Sequence, residues 1–379
     1  MRQDPKTKRF RVSLPRRRNI SNLPSNFNTS RTRLDGLQAK FRRPGNEDFA
    51  HKYQTVIEDQ LQQGIIEKVV LSDAERKMLQ ENVSKPVSQF YIPHHGVQKS
   101  RSEKVRVVYD ASAHAYKGAL SLNDCLLKGP SLMNLLAEVL FTFRLHAVVL
   151  LADIEKAFLQ IEVAEEDRDL LRFLWYDQEG NLEVFRFNRV PFGTGPSPFL
   201  LNATLRHHLE NVVEDQALLQ LLLRSLYVDD LLTGGETTEF VLKLRSLLEE
   251  ILGQAAMKLH GWDSNSAEVR EALGVVDQSD DNVVLGLLWN RVRDDMGINL
   301  EKLLKCKGGS TKRELLRATA QFYDPHGLLN PVVLIPKLLF CRVCRLKLHW
   351  DDLLPEDVSS DWIEWMSQLS LLEGVRWQR

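Results

Sequence analysis

The sequence predicts an α+β protein, and three observations carry that reading. Val148-Val149-Leu150-Leu151 is an apolar, partly β-branched run that meets an acid at Asp153, as a buried strand does when its end delivers a carboxylate. Farther on, Tyr227-Val228-Asp229-Asp230 lies between the apolar runs Leu218 to Leu223 and Leu231-Leu232, with Thr233-Gly234-Gly235 as a turn signal. That pattern predicts a β-hairpin with two acids at its tip. Helical spacing is plain from Asp48, where Phe49, Tyr53, Val56, Ile57 and Leu61 share a face and Gly64 marks the stop.

The 379 residues suffice for two or three domains with a real core, and 43% hydrophobic with 27% charged residues is ordinary for a globular chain. The net charge of -1 hides a basic start, where residues from Lys6 to Arg43 are opposed only by Asp4 and Asp35. Such a start serves as a disordered solubilising tail or as a nucleic-acid arm. Four cysteines make no secreted disulfide framework, and the lone C-x-x-C of Cys341 and Cys344 predicts core cysteines rather than zinc ligands. No apolar run is long enough to span a bilayer, and charge follows Met1 where a signal peptide would have its apolar core. A membrane partner is therefore not expected.

Residues 1–45, broken by Pro5, Pro15, Pro24 and Pro44, are expected to be irregular. Strands are expected at Ile65 to Val70 and Lys104 to Tyr109, with an extended Pro86 to Val97 between them. Glu165 to Leu174 predicts a short charged helix, and Phe185 to Phe187 a strand. That strand leads into Arg189-Val190-Pro191-Phe192-Gly193-Thr194-Gly195-Pro196-Ser197-Pro198, whose three prolines and two glycines shape a rigid binding loop ahead of a helix from Phe199.

Two adjacent carboxylates near a buried strand end repel each other and lose hydration. They need a salt bridge, open solvent or a divalent metal. Asp153 has its own bland alternative, a helix N-cap after the strand.

The ordered set of motifs resembles a known family. A strand ending in Asp153 with Phe158 five positions on, a V-P-F-G turn leading into a helix, then Tyr-Val-Asp-Asp in a hairpin follow the order seen in reverse transcriptases. More narrowly, the chain resembles the reverse transcriptase of BEL/Pao-type LTR retrotransposons. The segments that carry this are Pro93 to Val97, Val105 to Ser112, Ser121 to Asp124, Gly193 to Asn202, Thr311 to Arg313, Phe322 to Leu329 and Trp350 to Asp352.

The resemblance implies an RNA-directed DNA polymerase with a right-hand fold of fingers, palm and partial thumb, and a small antiparallel palm sheet. Residues 1–45 would be a basic lead, 46–300 the fingers and palm, and 301–379 a thumb- or connection-like helical segment. It further implies RNA and DNA template–primers and deoxynucleoside triphosphates as partners, with protease, RNase H and integrase domains on other sequences. Two Mg²⁺ ions, or Mn²⁺ in their place, would sit roughly 3.5–4 Å apart and clamp the attacking and leaving oxygens. Asp153, Asp229 and Asp230 match the catalytic metal ligands, and hard carboxylate oxygens suit that cation.

Arg106 matches the fingers arginine that grips the incoming triphosphate. Lys99, Arg101 and Lys104 remain alternatives for a neighbouring phosphate lysine. Phe158 matches the bulky residue beneath the deoxyribose that excludes a 2′-hydroxyl, and Phe192 with Gly193 completes the nucleotide-binding set. Gly286, Leu287 and Trp289 match the hairpin that positions the primer end, whose bland alternative is a core strand.

Two departures stand out. Gly261 occupies the place where family members often carry a lysine before tryptophan, so Lys258 and His260 are the substitutes for a proton donor. The region after Thr311 contains neither Asp-Thr-Gly nor Asp-Ser-Gly, so no aspartic protease is expected there. A helical face of Leu315, Leu316, Thr319 and Phe322 is expected instead, and no RNase H domain is expected within the chain. The competing reading, from a different class, is a retroelement remnant that binds nucleic acid without catalysis.

Overall fold

The computed structural model describes residues 1–72, 89–98, 104–177, 179–275, 279–305 and 310–379, with the side chain of Lys302 set aside. The chain forms two compact units. One comprises Met1–Met133, Asp153–Asp230 and Leu247–His260; the other comprises Asn134–Ala152, Leu231–Ser246 and Gly261–Arg379.

In the first unit the N-terminal stretch is ordered, against the expectation of an irregular lead over 1–45. Strand Phe10–Val12 pairs in parallel with Glu162–Val163, the Leu14 amide donates to the Asp167 carboxylate at 2.7 Å, and Arg16 forms an ion pair with Asp167. Phe27–Phe41 is a helix that buries Phe27, Ser30, Leu34 and Leu37 along one side. Pro24 and Pro44 bracket this helix rather than prevent it. A solubilising tail is thereby excluded for residues 10–41.

The Glu47–Gln62 helix buries Tyr53 and Ile57 and ends before Gly64, which takes φ +61°. Strands His94–Gln98 and Val105–Tyr109 pair antiparallel with Val97 opposite Arg106. Pro86, Lys99 and Arg101, which figure in the sequence expectations, lie outside the described residues. A three-stranded sheet orders Ile66–Lys68, Leu182–Phe187 and Arg172–Tyr176.

The helix expected over 165–174 is one turn, Glu165–Arg168, then a 3₁₀ segment and a strand from Arg172. Phe173, Leu174 and Trp175 are buried there, so strand packing overrides the charged start. His94 closes this core. Its Nε2 donates to the Leu174 carbonyl at 2.9 Å while Nδ1 accepts from the Tyr53 hydroxyl, and the Trp175 ring stacks on Tyr53.

The apolar run Leu218 to Leu223 is helical rather than a hairpin arm. Asp215 caps Gln216–Ser225 by accepting from the Ala217 and Leu218 amides, and Leu219 and Leu222 face inward. The hairpin arms are the short strands Leu226–Tyr227 and Asp230–Gly235, so Thr233-Gly234-Gly235 is strand and not turn. Gly234 is required by closeness of backbone: a Cβ there would lie 2.3 Å from the Val148 carbonyl oxygen. These two strands join Val148–Ile154 and Leu259–Asp263 in a four-stranded sheet, in the order 226–227, 230–235, 148–154, 259–263.

The second unit carries an antiparallel sheet of Asp281–Val284, Leu287–Asn290, Asp295–Ile298 and Arg376–Gln378. Trp289 is fully buried, edge-on to Phe143, with its Nε1 donating to Asp294 at 3.0 Å. Helices Lys312–Ala320, Asn330–Arg345 and Glu356–Gln368 follow. Two expectations fail here. The buried face of the first of these helices is Leu315 with Ala318, and Leu316 is exposed. Cys341 and Cys344 are exposed because Val333, Pro336, Leu339 and Val343 take the inner face of their helix. Among the described residues, no helix is long and apolar enough to cross a membrane.

Candidate active site

The three acids singled out by sequence come together in the first unit. Strand Val148–Ile154 presents Asp153 near its end, and on one side the Ile154 amide donates to the Asp229 carbonyl at 2.9 Å. That bond fixes the Tyr227-Val228-Asp229-Asp230 turn beside Asp153. On the other side the Glu155 amide donates to the Lys258 carbonyl at 2.9 Å, which brings in His260. The turn is strained: Val228 sits at φ +57°, a left-handed conformation that a β-branched residue adopts at a cost of about 1–3 kcal/mol.

Electrostatics follow from this crowding. Burial, then the neighbouring Asp229 and Asp153 carboxylates, push the Asp230 carboxyl up to about 6. Asp153 is also held above the ordinary carboxylate range, by burial and then by Asp229, against a lowering influence of His260. The His260 Nε2 lies 3.1 Å from the Asp153 carboxylate. Lys258 is highly exposed and only 3.9 Å from Glu155. Of the two substitutes for the missing lysine, the imidazole is the one at the acids. The sequence pointed to it only through the Gly261 departure.

These oxygens suit a hard cation in kind. A like-charged, partly buried carboxylate set with one imidazole for compensation is stabilised by a divalent ion. They do not form a closed cage: among the described residues, no three His, Cys, Asp or Glu side chains are gathered closely enough to hold an ion alone. Mg²⁺ keeps several waters and shares substrate phosphates, so an open set of this kind fits it.

The other expected residues of the first unit lie in the Ala157–Gln160 turn, the 191–195 loop and the Val105–Tyr109 strand. Phe158, in the Ala157–Gln160 turn, is buried at 6% exposure, and its ring meets Phe192 edge-on at 4.7 Å while Phe192 is 47% exposed. Gly193 has φ +95°, and a Cβ there would fall 2.1 Å from the Tyr109 carbonyl oxygen, so only glycine fits. Ser197 donates to the Pro191 carbonyl at 2.7 Å and closes this loop on itself. Arg106 is exposed on its strand with no ion pair among the described residues.

The primer-positioning trio belongs to the second unit and is mostly core. Leu287 and Trp289 are fully buried, which rules out direct primer contact through their side chains. Leu285 and Gly286 form the turn, at φ +46° and +90°, and the Tyr323 hydroxyl donates to the Leu285 carbonyl at 3.0 Å.

Residues 76–261 match the family model described as reverse transcriptase (RNA-dependent DNA polymerase), and residues 311–379 match the model described as Pao retrotransposon-like RNaseH-like domain. Found in this order, the two matches are those of a Pao-type reverse transcriptase. The first match spans the three acids, the 189–198 loop and His260. The second qualifies the expectation that no RNase H domain falls within it: the stretch carries that description and is built mainly from three helices.

Solved structures agree on the right-hand fold. The foamy viral protease–reverse transcriptase in complex with an RNA/DNA hybrid superposes with a TM-score of 0.56 at 17% identity, over 84% of this chain and 36% of that one. The foamy viral protease–reverse transcriptase dRH in complex with double-stranded DNA gives 0.55 at 18%, over 84% and 48%. A further complex of the foamy viral protein with double-stranded DNA gives 0.54 at 18%, over 85% and 57%. The chain thus spans between about a third and three fifths of these proteins. No curated protein matches it.

Proposed function

We propose that this chain is an RNA-directed DNA polymerase that adds deoxynucleotides to a primer 3′ end on an RNA or DNA template. The observation that supports this most is the convergence of Asp153, Asp229 and Asp230 at one strand end, two of them with raised proton affinity and one imidazole beside them. Asp153 and Asp229 would hold two Mg²⁺ ions, with Asp230 completing the set. When bound, such ions activate the attacking 3′-oxygen and neutralise charge on the leaving pyrophosphate.

The chain's own residues do the rest. Arg106, free on an exposed strand face, grips triphosphate oxygens with a planar guanidinium. Phe158 and Phe192 offer an aromatic floor to the sugar, which leaves no room for a 2′-hydroxyl. Phe192 carries no hydrogen-bonding group, so packing replaces a polar contact to the nucleotide. His260 holds the Asp153 carboxylate through its Nε2 and is the nearest proton carrier to the acids. The Leu285-Gly286 turn, supported from within by Leu287 and Trp289, is the part of its hairpin available to a primer. Residues 311–379 act as a thumb- or connection-like helical extension.

Extension of a labelled DNA primer on RNA and DNA templates, with Mg²⁺ and the four deoxynucleotides, tests the proposal. Product longer than the primer is expected. Tight primer–template binding with no product on either template would return the competing reading, a retroelement remnant that binds nucleic acid and does no chemistry.

A further inference from the structure

The loop that carries Phe192 and Gly193 is held from outside by one side chain. Asn123, in the short Leu122–Cys125 helix, donates from Nδ2 to the Gly193 carbonyl at 3.1 Å and to the Ser112 Oγ at 2.8 Å. Its Oδ1 accepts from the Gly195 amide at 2.7 Å. The two backbone partners fix which way the amide points, since a carbonyl can only accept and an amide N–H can only donate. Three of the four hydrogen-bonding positions of one carboxamide are thus spent, two on the 193–195 loop about 70 residues on and one on Ser112, eleven residues back.

Both ends of this clasp matter to the site. Ser112 follows Asp110, whose carboxylate accepts from the Ser112 amide at 3.1 Å and pairs with Arg33 at 2.6 Å. The strand that bears Arg106 ends at Tyr109, whose carbonyl Gly193 closely approaches. On the loop side, Phe192 immediately precedes Gly193 and rests on Phe158. We infer that Asn123 is a positioning residue for the incoming nucleotide: it locks the 191–195 loop against the segment after the Arg106 strand, so that Phe192 stays over Phe158. It touches neither substrate nor metal. This inference rests on the polymerase reading above.

The test separates the two. In steady-state extension, Asn123→Ala should raise the deoxynucleotide KM about tenfold, as misplacement of a positioning group does. kcat should stay within about threefold and primer–template affinity should not move. Ser112→Ala, which removes one of the three bonds, should give a smaller rise in the same direction and guards against failure of the first variant to fold. Asn123→Asp keeps the acceptor for Gly195 and loses both donors, so it should behave like alanine in KM. Independently of activity, amide hydrogen exchange over 193–195 should accelerate in Asn123→Ala, while Asn123→Asp should retain protection at Gly195. Unchanged KM, or a fall in kcat that merely follows a fall in melting temperature, would overturn the inference. Unchanged exchange would overturn it even if KM rose. Absence of extension by the wild-type chain would sink the polymerase reading alone, and exchange would still decide whether Asn123 holds the loop.

Discussion

Asp230 shows how a single residue reports on its neighbours. Its carboxyl is pushed up to about 6 by burial and by Asp229 and Asp153, so the folded chain binds a proton there that the unfolded chain releases near 4. The sign follows directly: this group favours folding below pH 4, and that contribution is lost as pH rises from 4 to 6. Without divalent ions, Asp230→Asn should therefore raise stability at pH 7.5 by about 1–2 kcal/mol, a figure reduced for partial solvent exposure. Urea midpoints at pH 7.5 and pH 4 check it, and a gain equal at both values would contradict the account. Gly193→Ala should cost at least about 2 kcal/mol, because it adds a left-handed strain to a backbone clash. At this scale the meeting of Asp153 with the Asp229-Asp230 turn was legible from motif order. Asn123 was not, because nothing in Ser121-Leu122-Asn123-Asp124 indicates which carbonyl a carboxamide will meet across the fold.

Elements were legible where periodicity was strong and misread where composition competed with packing. The Val148–Ile154 strand and the Glu47–Gln62 helix lie where their patterns put them. The Phe27–Phe41 helix escaped because its buried face includes Ser30 among arginines and asparagines, which blurs the apolar stripe. Residues 172–174 were drawn into a helix by the charges before them, whereas Phe173 and Leu174, with Trp175, fill a sheet face. His94, on the His94–Gln98 strand and bonded to Leu174 of that sheet, is an acid-sensitive group. Burial holds His94 at about 4 despite its bond to Leu174, so its neutral form contributes stability above pH 6.5 that is lost as pH falls toward 4. The loss should reach about 3 kcal/mol. His94→Gln should be less stable at pH 7 and should flatten the decline, so the gap between the two proteins narrows on acidification; a constant gap would refute this. The Ala157–Gln160 turn carries a second prediction. Phe158→Val should raise ribonucleotide over deoxynucleotide use by about tenfold or more, as opening a steric pocket does. Truncating a buried ring should also cost about 1–4 kcal/mol. Lost stability with no change in sugar preference would make Phe158 core alone.

Over the whole molecule the net charge is near zero, yet basic residues crowd the first unit's opening segments. Several of these are committed to internal ion pairs, Arg11 with Glu162 and Arg16 with Asp167 among them, while Arg106 is exposed on its strand. Primer–template affinity should fall steeply and linearly in log–log form with salt, without preference for one duplex sequence. The right-hand fold was legible from the motif set as a whole, whereas the division into two units was not, because its boundaries run through individual strands. Asp153, Asp229 and Asp230 are the residues that would make this fold a polymerase. Single-turnover extension by wild type and Asp229→Asn, each saturated with the same primer–template in Mg²⁺, tests it most directly. The substitution should slow extension by about a thousandfold or more while the melting temperature and duplex affinity hold. Comparable extension by an active wild type and Asp229→Asn would contradict it.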